Sequence, residues 1–323
     1  MKRWGMTVPF IGVPLHAHAD WFRELVDLGY TDVWSAEADG ADGFTPLTLA
    51  AAWTPELRLG TAIIPAFTRG PACLAQCAAS LADAAPGRFV LGVGTSSNVI
   101  VERWNGIEFD KPYERTRDTV RFLREAFGGD KIRHDYETFS VQGFKLGQVP
   151  AQAPPILVAA LRPGMLRLAG REGDGAIINW LAADDVSTVV PHVHDAAVGG
   201  AHKEIVARIF VAPIDDPDAV RAFGKFAIAA YLNVPVYAEF HRWLGREDQL
   251  ATMWEQWAAG DRRAAVESIP DSLVDELIVH GPPAACREHI ERYVANGVDT
   301  PALAILPFPG VDQQQAVRDL APR

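Results

Sequence analysis

The chain has 323 residues, 49% of them hydrophobic and 22% charged, enough to bury a large core, and its formal net charge is −11. Lys and Arg are scattered among acids rather than gathered in a stripe, so neither nucleic acid nor an anionic membrane is an expected partner. No apolar run approaches the roughly 18 residues that a membrane-spanning helix needs.

The start of the chain, Met1 to Gly5, lacks the long apolar core of a signal peptide. Cys73 and Cys77 lie one helical turn apart and read as small packing groups, and Cys286 stands alone. A reduced, cytoplasmic protein is expected.

In chain order, Gly5–Pro9 reads as a first strand and Ala19–Leu28 as a helix ended by Gly29. Asp32–Ser35 is a second strand, followed by the polar loop Glu37-Ala38-Asp39-Gly40-Ala41-Asp42-Gly43. Pro46–Trp53 follows as a helix, with Thr45 expected as its N-cap. Leu57–Ile64 is an apolar strand ending at Pro65, Gly70–Ala84 a helix apolar around most of its circumference, and Phe89–Val93 a strand with no polar face. Strand, crossover helix and strand buried on both sides make one βαβ unit.

Tyr113–Phe127 has helical periodicity and stops at Gly128-Gly129. Tyr136–Val141 alternates at period two and Gly143–Leu146 follows a turn, which predicts a small inserted hairpin. Pro155–Ala159 is a fifth strand, Gly164–Arg171 a helix, Gly175–Ile178 a sixth strand, Asp184–Ala197 a helix and Ile205–Val211 a seventh strand. Asp216–His280 is helical almost throughout and rich in aromatics, which read as core or subunit contact rather than a cofactor box. Pro282–Asn296 is a helix capped at Gly297, Ala302–Leu306 an eighth strand and Asp312–Leu320 a last helix.

Eight short apolar strands, most followed by a helix, have the rhythm of a (β/α)8 TIM barrel. No Ser/Gly/Pro-rich linker divides the chain, so residues 1–323 are read as one barrel domain with a hairpin insertion and a helical excursion before the last strand.

Such a barrel builds its site from the loops after the C-terminal ends of its strands. Here those loops carry His16 and His18; Glu37, Asp39 and Asp42; Ala62 to Arg69; Gly94 to Asn98; Ala160 to Gly164; and Asn179-Trp180. No metal-ligand set appears, since His192 and His194 fall on different faces of one helix and no Cys or carboxylate cluster joins them. Gly92-Val93-Gly94-Thr95-Ser96-Ser97 lacks the third glycine of a dinucleotide fingerprint. It offers backbone N–H groups and three hydroxyls with little bulk, which suits a flat polar ring. Ala160-Leu161-Arg162-Pro163-Gly164 opens a helix directly after a strand, where free N–H groups and Arg162 favour a phosphate.

These residues resemble the bacterial luciferase-like superfamily, and within it the oxidoreductases that use the deazaflavin coenzyme F420. The resemblance is carried by Val33-Trp34-Ser35-Ala36-Glu37, Phe44-Thr45-Pro46-Leu47, Leu59-Gly60-Thr61-Ala62 with Thr68-Arg69 and Pro71, Pro86 to Gly94, Pro155 to Ala160, and Asp174-Gly175-Ala176. It implies a (β/α)8 barrel, usually a homodimer, that moves a hydride between F420 and a small organic substrate, with FMN as the alternative cofactor. A non-catalytic barrel that only holds cofactor is the rival outside the enzyme class.

The resemblance further implies a non-proline cis peptide joining Ala62 to Ile63 that presses on the ring, ring and ribityl contacts from Thr95, Ser96 and Ser97, and a phosphate loop from Ala160, Leu161, Arg162 and Gly164, with Gly94 and Asn179 as further cofactor-binding candidates. Where the sugar-phosphate dehydrogenases of the family carry an Asp-His pair, this chain has Asp39-Gly40, which argues against sugar-phosphate oxidation. Asp39 is then the first candidate for ring contact or proton transfer and Glu37 the second. Arg69, Arg115 and Arg162 are candidates to line a groove for the acidic tail of F420.

Overall fold

A computed structural model describes residues 3–308 and 310–322. Met1 and Lys2, part of the amino-terminal stretch read above for a signal core, lie outside the described residues, as do Pro309 and Arg323.

Eight parallel strands close on one another among the described residues. They are β1 (Gly5–Val8), β2 (Asp32–Ser35), β3 (Arg58–Thr61), β4 (Phe89–Gly94), β5 (Ile156–Ala159), β6 (Gly175–Asn179), β7 (Glu204–Ala212) and β8 (Thr300–Ile305). Each pairs with the next, and β1 pairs with β8 through Gly5 opposite Ala302, which closes the ring. The expected barrel is therefore the observed one. Its strands are apolar on both faces because one face packs on helices and the other fills the barrel interior.

The interior is a packed plug. Trp34, Val90, Leu157, Ile177, Val206 and Ala302 form one buried cluster contributed by six different strands. Trp34 is 1% exposed, and its ring occupies the space left by two glycines. A Cβ on Gly60 would lie 2.2 Å from the indole, and one on Gly5 2.9 Å away. Between β3 and β4 the approach is closer still. The Thr61 hydroxyl donates to the Gly92 carbonyl at 2.9 Å and accepts from its N–H at 2.8 Å. A Cβ on Gly92 would sit 1.9 Å from the Thr61 carbonyl oxygen.

After Thr61 the strand breaks. The Ala62–Ile63 peptide is cis, as the resemblance implied, and Ile64–Pro65 then resumes pairing with Val93 and Gly94.

At the opposite end of the barrel the polar groups are paired charges. Arg58 donates to both oxygens of Glu204 and to Asp32, which also accepts from Arg3. Thr300 donates to Glu204 at 2.7 Å. Burial pushes the Glu204 carboxyl up, but Arg58 and Thr300 outweigh it and hold the group below its usual range.

Several local expectations are corrected. Thr45 is already inside its helix, Thr45–Trp53, and the capping oxygen is that of Asp42, which accepts from the Phe44 and Thr45 N–H groups at 2.9 and 3.1 Å. The hairpin pairs Ile132–Asp135 with Ser140–Phe144, so residues 136–139, expected to be strand, form its turn. Tyr136, Phe139 and Phe144 gather there around Phe122, and side-chain packing has overridden the alternating pattern. The seventh strand, expected to start at Ile205 and end at Val211, runs one residue further at each end.

The stretch 216–280 resolves into five helices, from Pro217–Leu232 to Asp271–Leu277, and a short strand, Val279–His280, beside the end of β7. They enclose a second core that includes Trp180, Phe210, Ile228, Met253 and Leu277, with Phe223, Trp254 and Trp257 packed against it. Most of the aromatic stripe is core, as expected. No helix among the described residues is long and apolar enough to cross a membrane.

Two outcomes follow for stability. Gly92→Ala should destabilise the fold by about 1–3 kcal/mol, because the obstructing atom is backbone and cannot swing aside. Gly147→Ala, where a Cβ meets nothing within 4 Å, should stay within about 0.5 kcal/mol of the parent. Denaturant midpoints compare the two. Because the folded-state pKa of Glu204 is depressed, its contribution is full above the unfolded-state value near 4.5 and is lost as pH falls through the folded value. Glu204→Gln should therefore flatten the acid limb of a stability–pH curve while lowering stability at pH 7.

Candidate functional site

A cavity of about 1350 Å³ opens at the C-terminal end of the barrel, walled by the loops after β2 to β6, by β7 and by the helical excursion. A drug-sized ligand pocket is typically about 300–1,000 Å³, so there is room for a large cofactor together with a second molecule. Of the site residues expected from sequence, Glu37, Asp39, Ala62, Ile63, Thr95, Ser96, Ser97, Ala160, Leu161, Arg162, Gly164 and Asn179 all line it. Gly94 does not. It lies behind the wall, where a Cβ would come within 2.7 Å of the Ala159 methyl and 3.3 Å of Ile63. Gly92 and Gly94 thus serve the approach of strands to one another.

The wall from β2 to β4 is built of small side chains and hydroxyls. Ala36 and Ala38 flank Glu37, and Ala62 and Ile63 form the bulge after β3. The bulge is tied down by hydrogen bonds from the Ala62 N–H to the Ser35 carbonyl and from the Glu37 N–H to the Ile63 carbonyl.

Beyond β4, Ser96 has φ 62°, a left-handed conformation that few non-glycine residues adopt and that clusters at ligand sites. The Thr95 hydroxyl donates to the Ser96 carbonyl, and the Ser97 hydroxyl accepts from the Ile100 N–H. A π-helical turn, Val99–Trp104, follows and brings Trp104, 55% exposed, to the edge of the cavity. Nothing in the sequence pattern announced that turn.

After β5 the helix Pro163–Glu172 opens directly on the cavity. Its N-cap, Arg162, is in ordinary extended conformation and makes no side-chain cap. The first-turn N–H groups beyond Pro163 are therefore open to an anion, and a Cβ at Gly164 would meet nothing within 4 Å.

The two carboxylates expected to carry chemistry differ sharply. Arg69 binds Glu37 through Nε at 3.1 Å and through a terminal nitrogen at 2.7 Å, and the Gly43 N–H donates to the same carboxylate at 3.1 Å. That ion pair also raises the Arg69 pKa. Glu37 therefore ties the loops after β2 and β3 together. Asp39 is exposed on the cavity wall and forms no hydrogen bond or ion pair among the described residues. It is free to meet a ligand.

The expected basic groove is only partly assembled. Arg69 is held by Glu37. Arg115 lies between the Phe67 and Phe139 rings and donates to the Ala66 and Thr138 carbonyls. Of the three arginines considered, only Arg162 lines the cavity, and Arg208 and Arg242 join it from elements the sequence reading passed over. Tyr231, Tyr237 and Trp243 of the helical excursion also line it, so part of that aromatic stripe is site. A cue was present in hindsight: Arg208 is a cation in the middle of the otherwise apolar run Ile205–Val211.

Neither His16 nor His18 lines the cavity. His18 is 1% exposed, accepts from the Phe10 N–H at 2.9 Å and approaches the Pro14 carbonyl with Nδ1 at 3.0 Å. Burial lowers its pKa. His16 is exposed and lies outside the cavity wall. No group of three or more His, Cys, Asp or Glu side chains among the described residues is arranged to hold a metal ion.

With this geometry in place, comparison with known proteins gives the family. Residues 4–300 match the model of the luciferase-like monooxygenase family, and the chain belongs to it and is an enzyme of that kind. It is 30% identical over 346 residues to the F420-dependent glucose-6-phosphate dehydrogenase of Rhodococcus hoagii, covering 96% of each chain. It is 28% identical over 304 residues to the 5,10-methylenetetrahydromethanopterin reductase of Archaeoglobus fulgidus, covering 90% of each. Among solved structures, an F420-dependent secondary alcohol dehydrogenase in complex with an F420–acetone adduct superposes with a TM-score of 0.78, over 99% of this chain and 98% of that one, at 17% identity. That last similarity is one of fold.

The contrast between the carboxylates is measurable without any ligand. Glu37→Gln should lower stability by about 1–2 kcal/mol, since it weakens charge-assisted hydrogen bonds of a largely buried pair. Asp39→Asn should leave stability within about 0.5 kcal/mol, as expected for an unpartnered exposed side chain. Urea denaturation of both variants reads the difference.

Proposed function

We propose that this member of the luciferase-like family is an F420-dependent oxidoreductase acting on a small organic substrate held in the barrel mouth. The observation that carries the reading is the wall between the ends of β3 and β5. It combines a tied-down bulge of small residues, a loop of three hydroxyls and an uncapped helix start, all facing one cavity of about 1350 Å³. A flat ring fits against Ala62 and Ile63, where no bulky side chain fills the space, and a phosphate fits the open N–H groups beyond Arg162. The F420 dependence of the Rhodococcus relative supports the same choice.

Bound there, the deazaflavin would supply the hydride donor or acceptor. The chain's own residues do the rest. Thr95, Ser96 and Ser97 offer hydroxyl and backbone groups to the polar edge of the ring and its side chain. Ala160 to Gly164 with Arg162 hold the phosphate. Asp39, the unpartnered carboxylate on the wall, holds or delivers a proton at the substrate atom next to the reacting carbon. Glu37 acts through Arg69 to position the two loops. Tyr231, Tyr237 and Trp243 cover the mouth and limit water. The absence of a histidine after Asp39 argues for a substrate other than a sugar phosphate.

Titration with F420 and with FMN, followed by quenching of cofactor fluorescence, tests the reading. F420 should bind at micromolar or tighter levels and FMN at least about tenfold more weakly. Tight binding of FMN alone would turn the assignment toward a flavin-dependent monooxygenase, and binding of neither would remove it. Asp39→Asn should lower turnover with reduced F420 and activated-alkene substrates by at least about tenfold, the low side of what a positioned acid or base contributes, with F420 affinity unchanged. Unchanged turnover would take the proton-handling role from Asp39.

A further inference from the structure

Arg208 has no place in the reading so far. It stands on β7, opposite Asn179 of β6 and Ala302 of β8 in the strand registers, and lines the cavity. Other arginines drawn into the interior have partners: Arg58 pairs with Asp32 and Glu204, Arg246 with Asp185 and Glu276, and Arg115 donates to two backbone carbonyls. Arg208 has no carboxylate within ion-pair distance among the described residues, and its buried Nε has no hydrogen-bond partner. The guanidinium lies 5.1 Å from the Phe210 ring, and the phenols of Tyr231 and Tyr237 also favour its charge. A charge drawn partly out of water without a partner is costly. At the floor of an open cavity it reads as half of an ion pair whose other half arrives from outside.

The surroundings agree. A recess of about 90 Å³ lies beside Arg208, bounded by Thr7, Ala304 and Gln313 among others. One water takes about 30 Å³ in the liquid, so a carboxylate-sized group fits. The Thr7 hydroxyl facing it is buried and unpartnered. On the cavity side Tyr237 accepts from Asn179 at 3.4 Å, which leaves the phenol proton free to donate. Burial pushes the Tyr237 pKa up to about 12, so that proton is present at neutral pH. The donors therefore come from β1, β7 and the helical excursion, across the barrel from the wall assigned to the ring and the phosphate.

We infer that Arg208 and the Thr7 recess beside it form the subsite for the acidic group of the substrate, which makes this an enzyme for small organic acids. The subsite holds the carboxylate between the guanidinium and the Thr7 and Tyr237 hydroxyls, and so turns the remainder of the molecule toward the ring wall. This rests on the redox reading above only for what happens to that remainder; capture of the acid does not need the cofactor.

Isothermal titration of the cofactor-free protein with cinnamate, crotonate and benzoate, each against its amide, tests the subsite. At least one acid should bind about tenfold or more tightly than its amide, as a charge-assisted hydrogen bond in a desolvated site provides. Arg208→Met should abolish the preference, Arg208→Lys should retain part of it, and both should bind F420 as the parent does.

Binding of no acid, equal binding of acids and amides by the parent, or an undiminished preference in Arg208→Met would overturn the inference. So would a loss of F420 affinity in Arg208→Met matching the loss of acid affinity, since the guanidinium would then belong to the cofactor. An acid preference that persists in a protein binding neither F420 nor FMN would remove the redox reading and leave the subsite standing.

Discussion

The contact between Thr61 and Gly92 governs the rest of the barrel. One hydroxyl satisfies both backbone polar groups of Gly92, and the missing side chain lets β3 and β4 approach to a distance no other residue would allow. Beyond that contact the chain turns out as the Ala62–Ile63 bulge and rejoins β4 at Ile64–Pro65. The bulge faces the cavity, and the loop after β4 starts beside it. A close contact of two strands in the barrel interior thus lies directly beneath the Ala62–Ile63 surface that lines the cavity.

The distribution of charge follows the same division between scaffold and site. At the N-terminal end of the barrel, Arg3, Arg58, Asp32 and Glu204 are partners of one another, so burial there is compensated and the group is structural. Toward the mouth, Glu37 and Arg69 are similarly spent on each other in joining two loops. Past that tie the pairing stops. Asp39 and Arg208 face the cavity without protein partners, on opposite sides of it. An acid on one wall and a cation on the floor are what a site needs when the missing partners belong to its ligands.

The helical excursion explains how a barrel mouth becomes an enclosed chamber. Its five helices pack over Trp180 and Phe210, which project from the ends of β6 and β7, and bury a second core. The same helices present Tyr231, Tyr237 and Trp243 to the cavity. One face of the aromatic stripe is therefore core and the other is wall. A helix long enough to serve both shows a single periodic pattern in sequence, and that pattern does not say which face meets a ligand.

Sequence by itself determined the order and type of the barrel elements, because strands buried on both sides must be continuous apolar runs and helices must carry a stripe. It also determined the loops after β2 to β6, since only those ends of the strands converge in a closed parallel barrel, and the residues there matched a family. Tertiary structure alone decided the fates of individual side chains. Whether Glu37 or Asp39 is free depends on where Arg69 reaches, and Arg115 was lost to the site because Phe67 and Phe139 enclose it. The hairpin turn moved to residues 136–139 because packing on Phe122 outweighed the alternating pattern. Arg208 was left without a carboxylate because its neighbours come from β1, β6 and a helix far along the chain. Such contacts join residues whose separation in sequence carries no period, so no local pattern can encode them.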